Sequence, residues 1–360
     1  MKQKVLVAMS GGVDSSVAAS LLRDEGYEVI GITMRLFTDL YASPKAGERV
    51  RGPDNVRDAQ IIAKELNIPH HELDLQKQFS ELIIDDFVET YRTGKTPNPC
   101  IRCNRFIKFG KLLDITDELG ADFIATGHYA RIEYDTEHDE YRLKKAVDES
   151  KDQSYFLYVL KQRQLGRILM PLGVRYKEKV REIAQQRNLH VHEKSESQEI
   201  CFIDGKDYRR FFEQLDPELL KPGSIRDQSG RQLGTHSGIA YYTIGQRRGL
   251  GISYSEPLYV TRIDRSRNTI YVGTRKEVYH RELVAHEVNW IGNQIPEEPL
   301  LVQVKVRSIH SPATGMLHLQ KDGRATVTFD EPQWAVTPGQ AAVFYLGDTV
   351  LGGGTILEGR

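Results

Sequence analysis

The spacing of apolar positions changes character once along the chain, near residue 205. Before that point, short apolar runs alternate with amphipathic stretches. Lys4 to Met9 reads as a strand, and Val13 to Glu25 as a helix with Gly26 placed as its C-terminal cap. Glu28 to Met34 is apolar and bounded like a buried strand. A polar loop carrying Pro44, Gly47, Gly52 and Pro53 separates it from a helix in which Val56, Ala59, Ile62, Ala63 and Leu66 form one stripe. Strands near Glu72 to Leu75 and Asp122 to Thr126 flank helices over 79–91 and 106–119. Such alternation predicts a parallel, doubly wound sheet with helices on both faces and ligands beyond the carboxyl ends of its strands. Those ends carry Ser10–Ser16, Met34 and Thr126-Gly127-His128.

Beyond residue 205 the period shortens to two. The stretch 241–249 and the pair LYVTRID and NTIYVGT predict short strands with tight turns. From about Val288, the segments VQVKVR, GMLHL, ATVTF and AVFYL are separated by Gly, Pro and Asp turns, as in a small antiparallel barrel. The expected fold is α/β: a catalytic sheet domain over 1–205, a small mixed domain over 206–280 and an antiparallel β-barrel over 281–360. No repeat or low-complexity segment interrupts it.

Composition narrows the classes. The first apolar run, Val5 to Met9, is too short for a signal core or a membrane span. Three cysteines, an odd number, argue against a disulfide scaffold and for a reducing cytoplasm. The net charge of −1 gives no global attraction to nucleic acid, so an RNA site must be a local basic surface.

The stretch SGGVDSS, Ser10 to Ser16, follows the first strand and opens the first helix. Gly11 and Gly12 let backbone N–H groups wrap an anion at a helix start, and Ser10, Ser15 and Ser16 add hydroxyls. The lysine of a γ-phosphate loop is missing, which suits a loop that holds the pyrophosphate leaving after attack on the α-phosphate of ATP. Asp14 would repel phosphate unless it caps the helix or helps hold magnesium. Products would be AMP and pyrophosphate. GxGxxG is absent, which disfavours a dinucleotide site; a structural Gly-Gly turn is the plain alternative. SGGVDSS resembles the pyrophosphate loop of the adenylating α-hydrolases, a superfamily that includes amide ligases and tRNA-modifying enzymes.

The thiols choose among these chemistries. No segment looks like the glutaminase an amide ligase would need. Cys100 and Cys103 lie in TPNPCIRCNRFIKFG beside Arg102, Arg105 and Lys108, which would favour the thiolate, and Cys201 lies in SESQEICFIDG. Two thiols near an adenylate suit sulfur transfer: one carries a persulfide, the other attacks its inner sulfur and leaves a disulfide. Structural zinc would need a fourth ligand. An iron–sulfur cluster on Cys100, Cys103 and Cys201 is the sharper rival, and an inert, buried Cys201 is the plain one. Arg105, Lys108 and Lys111 fall on one helical stripe, ordinarily a solvated face. Arg247-Arg248 fits a phosphate-contacting turn or a surface hairpin equally, and His70, His71, His190 and His192 read as ordinary.

SGGVDSS, TPNPCIRCNRFIKF, ATGHYAR, KDQSYFL, SESQEICFI, TIGQRRGLG and AVTPGQAAVFY, in this order, make the whole chain similar to the bacterial tRNA-specific 2-thiouridylases. The resemblance implies thiolation at C2 of the wobble uridine in tRNA(Lys), tRNA(Glu) and tRNA(Gln), with sulfur from a relay protein fed by a cysteine desulfurase. By matching motif, Ala8, Met9, Ser10, Gly11, Gly12, Val13, Asp14, Ser15, Met34 and Gly127 would hold ATP with Mg2+. Cys201 would carry the persulfide and Cys103 would be the nucleophile, with a transient disulfide between them. Asn98, Pro99 and Cys100 would border the flipped-out base. His128, Lys151, Asp152, Gln153, Arg307, Ser308 and Gln340 fall at tRNA-contacting positions. Many members have Asp where this chain has Cys100, so the role of that Asp is here absent, taken by water or taken by the thiol. An adenylating ligase that installs nitrogen and an ATP-dependent RNA-binding protein without chemistry are the rival functions.

Overall fold

The computed structural model describes residues 2–36, 51–194, 200–203 and 208–360. Pro44 and Gly47, and within the last cysteine motif Ser195 to Glu199, Asp204 and Gly205, fall outside these residues.

The first region is the expected parallel sheet. Strands β1 (Lys4–Ala8), β2 (Glu28–Arg35), β3 (His70–Asp74) and β4 (Phe123–Ala125) are followed by a hairpin, β5 (Ala130–Asp135) and β6 (Glu140–Lys145), and then by the short β7 (Ile168–Leu169). The sheet order is β3-β2-β1-β4-β7, and every pair in it is parallel. Its central strand is apolar on both sides because helices cover both faces. One face packs Val17, Ala18 and Leu21 of helix α1 (Val13–Asp24), and Ala59 and Ile62 of helix α2 (Arg51–Glu65), against Val5 and Val7. On the other face Leu6 and Ile32 meet Ile101, Phe109 and Leu112 of a helix over 99–118. Helix α2 starts earlier than the sequence suggested: Gly52 and Pro53 lie in its first turn, where the missing proline N–H costs no helical bond.

Two helices carry π-helical turns. Ser80–Ile84 interrupts the helix over 76–92, and Cys103–Lys111 separates Pro99–Arg102 from Leu112–Glu118. Hydrogen bonds in such turns run from i to i+5, and they concentrate at functional sites.

The middle region holds β8 (Gly223–Arg226), β9 (Gln232–His236), β10 (Tyr259–Asp264) and β11 (Thr269–Gly273), in the order β10-β11-β8-β9. Residues 241–249, expected to be strand, carry none: a 3-10 turn over Ile239–Tyr241 leads into a loop. That loop folds on itself, with Thr243 N–H donating to Gln246 Oε1 at 3.1 Å and Gln246 N–H to the Thr243 carbonyl at 3.0 Å. Alternating Tyr, Thr and Ile mimicked a strand, but local bonds use the backbone first.

The last region holds β12 (Tyr279–Trp290), β13 (Leu300–Lys305), β14 (Ala313–Leu319), β15 (Ala325–Trp334), β16 (Ala341–Leu346) and β17 (Thr349–Gly359). The run β12-β15-β14-β13-β16-β17 closes through β12–β17 into an antiparallel barrel around Leu283, Val302, Phe329 and Phe344. Strand β17 also pairs with β6, so the hairpin from the first region extends the barrel wall. Arg131 and Lys144 on that hairpin bind Asp348.

Candidate active site

At the carboxyl end of β1 the chain turns through Ser10–Gly12 into α1. Gly12 caps the helix with extended backbone and no side-chain bond, so the first N–H groups of α1 stay available for an anion. Gly11 has φ +67°, and a Cβ there would collide with the Asn55 carbonyl oxygen. Only glycine fits that turn. Ser10 N–H donates to Ser15 Oγ at 3.1 Å, and Ser16 Oγ donates to the Gly12 carbonyl at 2.7 Å, which sets the loop's curvature. Ala8, Met9 and Val13 turn their side chains inward, Met9 and Val13 fully, which leaves only their backbone open to a ligand. Met34, half-buried, stands at the end of β2, and Met9 N–H is tied to Ile32 at 2.8 Å.

Asp14 neither caps the helix nor offers a free carboxylate. Lys177 Nζ donates to its two oxygens at 2.7 and 2.8 Å, and Tyr129 Oη donates to Oδ1 at 2.8 Å. The Lys177 side chain is 8% exposed. Asp14 therefore binds the loop to the helix over Lys177–Gln186 and to the strand after Gly127. Gly127 itself is a close-packing position: a Cβ would lie 2.8 Å from the Asp14 carbonyl carbon and the Ser15 nitrogen.

A lysine from far along the chain braces this loop. Lys194 Nζ donates to the Gly11 carbonyl at 2.9 Å, to Asn55 Oδ1 at 2.9 Å and to Asp58 Oδ2 at 2.7 Å. No local pattern marks Lys194; only the fold reveals it.

The thiols gather on the other side of the sheet's end. Cys103 is buried where the helix over 99–118 enters its π turn, in a core shared with the middle sheet. Phe202 and Ile203 belong to the same core. Phe202 sits edge-on to Phe79 and Phe87, with ring centres 5.8 and 5.2 Å away, and this packing carries Cys201 toward Cys103. All three thiols are free. Burial pushes the Cys103 thiol up to about 11, opposed by Lys108 and reinforced by Cys100. Cys100 and Cys201 keep solvent-exposed surface, yet the protein crowded around each sulfur raises both thiols; Cys103 and Cys100 raise Cys201 further, and Lys108 lowers it. The three sulfurs thus lie within electrostatic reach of one another and of one ammonium.

Among the remaining positions, His128 is buried, with Nδ1 2.7 Å from Thr126 Oγ1 and Nε2 3.4 Å from Lys108 Nζ. Burial, then Lys108, holds its pKa well below the ordinary histidine value, so the ring is neutral. Asn98 precedes Pro99 at the helix start, half-buried, and Pro99 is buried. Gln340 donates to the Thr96 and Pro97 carbonyls at 3.2 and 2.9 Å, and Thr96 N–H to the Pro338 carbonyl at 2.9 Å, which braces Asn98-Pro99-Cys100 against the barrel. Arg307 Nη2 donates to the Ile244 carbonyl at 2.8 Å and to Thr337 Oγ1 at 2.6 Å, joining the barrel to the middle loop. Asp152 accepts from Ala146 and Ser154, and Gln153 accepts from Tyr129 N–H at 2.9 Å. Lys151 and Ser308 are half-exposed.

Comparison with known proteins places this arrangement. Residues 3–205 match the model described as tRNA methyl transferase HUP domain, 210–274 the tRNA methyl transferase PRC-barrel domain, and 280–356 the aminomethyltransferase beta-barrel domain. The protein named tRNA-specific 2-thiouridylase MnmA of Acetivibrio thermocellus is 47% identical over 356 residues, 99% of each chain. That of Geotalea uraniireducens is 48% identical over 358 residues, covering 99% of this chain and 95% of its own. That of Halothermothrix orenii is 46% identical over 355 residues, again 99% of each. The chain belongs to the tRNA-specific 2-thiouridylase family. The Thr126–His128 turn packs on the loop at the end of β1 through Gly127 and reaches Lys108 of the 99–118 helix through His128.

Proposed function

We propose that the protein is an ATP-dependent tRNA sulfurtransferase that converts the wobble uridine of tRNA(Lys), tRNA(Glu) and tRNA(Gln) to 2-thiouridine. The carrying observation is the gathering of Cys103 and Cys201 in one electrostatic neighbourhood, although nearly a hundred residues separate them in sequence. The urea-like C2 carbonyl is a poor electrophile, so its oxygen attacks the α-phosphate of ATP first. The backbone N–H groups from Gly11 to Ser15 receive the pyrophosphate that leaves. Met34 and Gly127 border the nucleotide. Asp14 spends both oxygens on Lys177, so it does not fit as a direct magnesium ligand and instead shapes the loop.

Sulfur arrives from a donor protein as a persulfide on Cys201. The Cys103 thiolate attacks the sulfur bonded to Cys201 Cβ; a Cys103–Cys201 disulfide forms and hydrosulfide leaves. Hydrosulfide adds at the activated C2 and AMP departs with the original oxygen. An external dithiol then reduces the disulfide. Asn98, Pro99 and Cys100 border the extruded base, with Gln340 holding their loop. Lys151, Asp152, Gln153, Arg307 and Ser308 complete the tRNA-facing surface, with buried His128 behind it.

The direct test is tRNA-dependent release of AMP from α-labelled ATP. AMP formation that requires unmodified glutamate tRNA supports the adenylation step. Nucleotide and tRNA binding without AMP would favour an RNA-binding protein without chemistry.

A further inference from the structure

Read as an α-helix, residues 105, 108 and 111 share one face. The π-helical winding of Cys103–Lys111 breaks that stripe: Arg105 and Lys111 stay exposed, while Lys108 is drawn half inside. Bonds from i to i+5 bring residues four and five apart onto one side of the helix, and Lys108 is the fifth residue after Cys103. The Nζ of Lys108 lies 3.4 Å from Nε2 of His128, whose Nδ1 lies 2.7 Å from Thr126 Oγ1. A neutral ring that donates from Nδ1 to Thr126 presents its Nε2 lone pair to the ammonium. No carboxylate pairs with Lys108 among the described residues. A half-buried cation held by a neutral imidazole has its charge left for an anion that arrives or forms during the reaction.

We propose that Lys108, turned inward by the π-helical winding and steadied by neutral His128, is the positioning residue whose charge stabilises the thiolate of Cys103. The proposal rests on the reading of Cys103 as the attacking thiol. On ionisation Cys103 gives its proton to solvent, and the ammonium keeps its own and compensates the new charge. Lys108 lowers the pKa of all three thiols, as such a placement requires.

The test uses the full chain with Cys100→Ser and Cys201→Ser, so that Cys103 is the sole thiol. Its alkylation by iodoacetamide is followed against pH, with Lys108 intact, as Lys108→Met and as Lys108→Arg. An opposite charge in close reach shifts a group by about one unit or more. Lys108→Met should therefore slow alkylation about tenfold at a fixed pH and move the pH–rate profile upward by about one unit. Lys108→Arg should recover most of this, and Lys108→Gln replaces the Met variant if that one does not fold. In the chain with all its cysteines, Lys108→Met should slow thiolation about tenfold and leave tRNA-dependent AMP formation intact. An unmoved profile overturns the proposal, as does loss of AMP formation with the profile unchanged, which would assign the cation to a phosphate. Absence of thiolation by the unaltered chain would sink the proposed function, while the alkylation profile would still decide the role of Lys108.

Discussion

Replacing Gly127 by alanine probes the contact between the Thr126–His128 turn and the anion loop. The added Cβ would stand 2.8 Å from the Asp14 carbonyl carbon and the Ser15 nitrogen, against an ordinary contact of 3.4 Å. The difference, 3.4 − 2.8, requires a retreat of about 0.6 Å by the backbone at the start of α1. That backbone carries the N–H groups proposed to receive pyrophosphate, and displacements near 1 Å cost roughly a hundredfold in positioned reactions. Gly127→Ala should thus lose about 1–3 kcal/mol of stability and slow AMP formation at least about tenfold. Gly120→Ala is the control. Gly120 has φ +62° and open space beyond it, so alanine there should cost about 1 kcal/mol of stability and leave AMP formation unchanged. Single-turnover AMP release and denaturant unfolding measure the two quantities. Normal AMP formation by Gly127→Ala would refute the claim that this contact shapes the nucleotide site.

Lys194→Ala removes the bonds to Gly11, Asn55 and Asp58 and should raise the KM for ATP about tenfold, with tRNA affinity constant in filter binding. Phe202→Ala deletes a core ring and should cost about 3–5 kcal/mol; in the fraction that stays folded, thiolation should fall further than AMP release, because the ring seats Cys201. Two pH effects have opposite signs. The Cys103 thiol is raised from 9.0 to about 11, so its contribution is complete below pH 9 and is lost as pH climbs toward 11; His128 is lowered from 6.5, so its contribution is complete above that value and is lost as pH falls below it. Thermal midpoints should decline on both sides, with Cys103→Ser flattening the alkaline limb and His128→Asn the acid one. Raising salt should weaken tRNA binding through local phosphate contacts, and salt-insensitive affinity would remove the basic-surface reading.

The parallel sheet was legible because β1 and β2 are apolar on both faces and α1 opens on Gly11-Gly12, all local signals. The barrel was legible from its alternating strands. Pairing of β6 with β17 was not, since it joins residues about two hundred positions apart. Lys194 escaped for the same reason: its partners lie at Gly11, Asn55 and Asp58. Lys108 was legible as a basic neighbour of the cysteines, but its half-buried place, apart from exposed Arg105 and Lys111, was not, because a π turn has no strong local signature. Arg307 and Gln340 were named by matching motif as tRNA-contacting positions, and only the fold reveals that their donors hold Ile244, Thr96 and Pro97. Residues 241–249 had the alternation of a strand but meet β10 only around one residue, Gly245 N–H donating to the Val260 carbonyl and Val260 N–H to the Gln246 carbonyl, while Thr243 and Gln246 bond each other.

The central claim is that sulfur reaches an adenylated tRNA uridine through Cys201. Its most direct test is mass spectrometry of nucleosides from unmodified glutamate tRNA, incubated with the protein, magnesium-ATP and a complete persulfide-donor relay. The account predicts a sulfur-for-oxygen mass change on the wobble uridine that disappears in Cys201→Ser while AMP release persists. Thiouridine formed equally well by Cys201→Ser would contradict it.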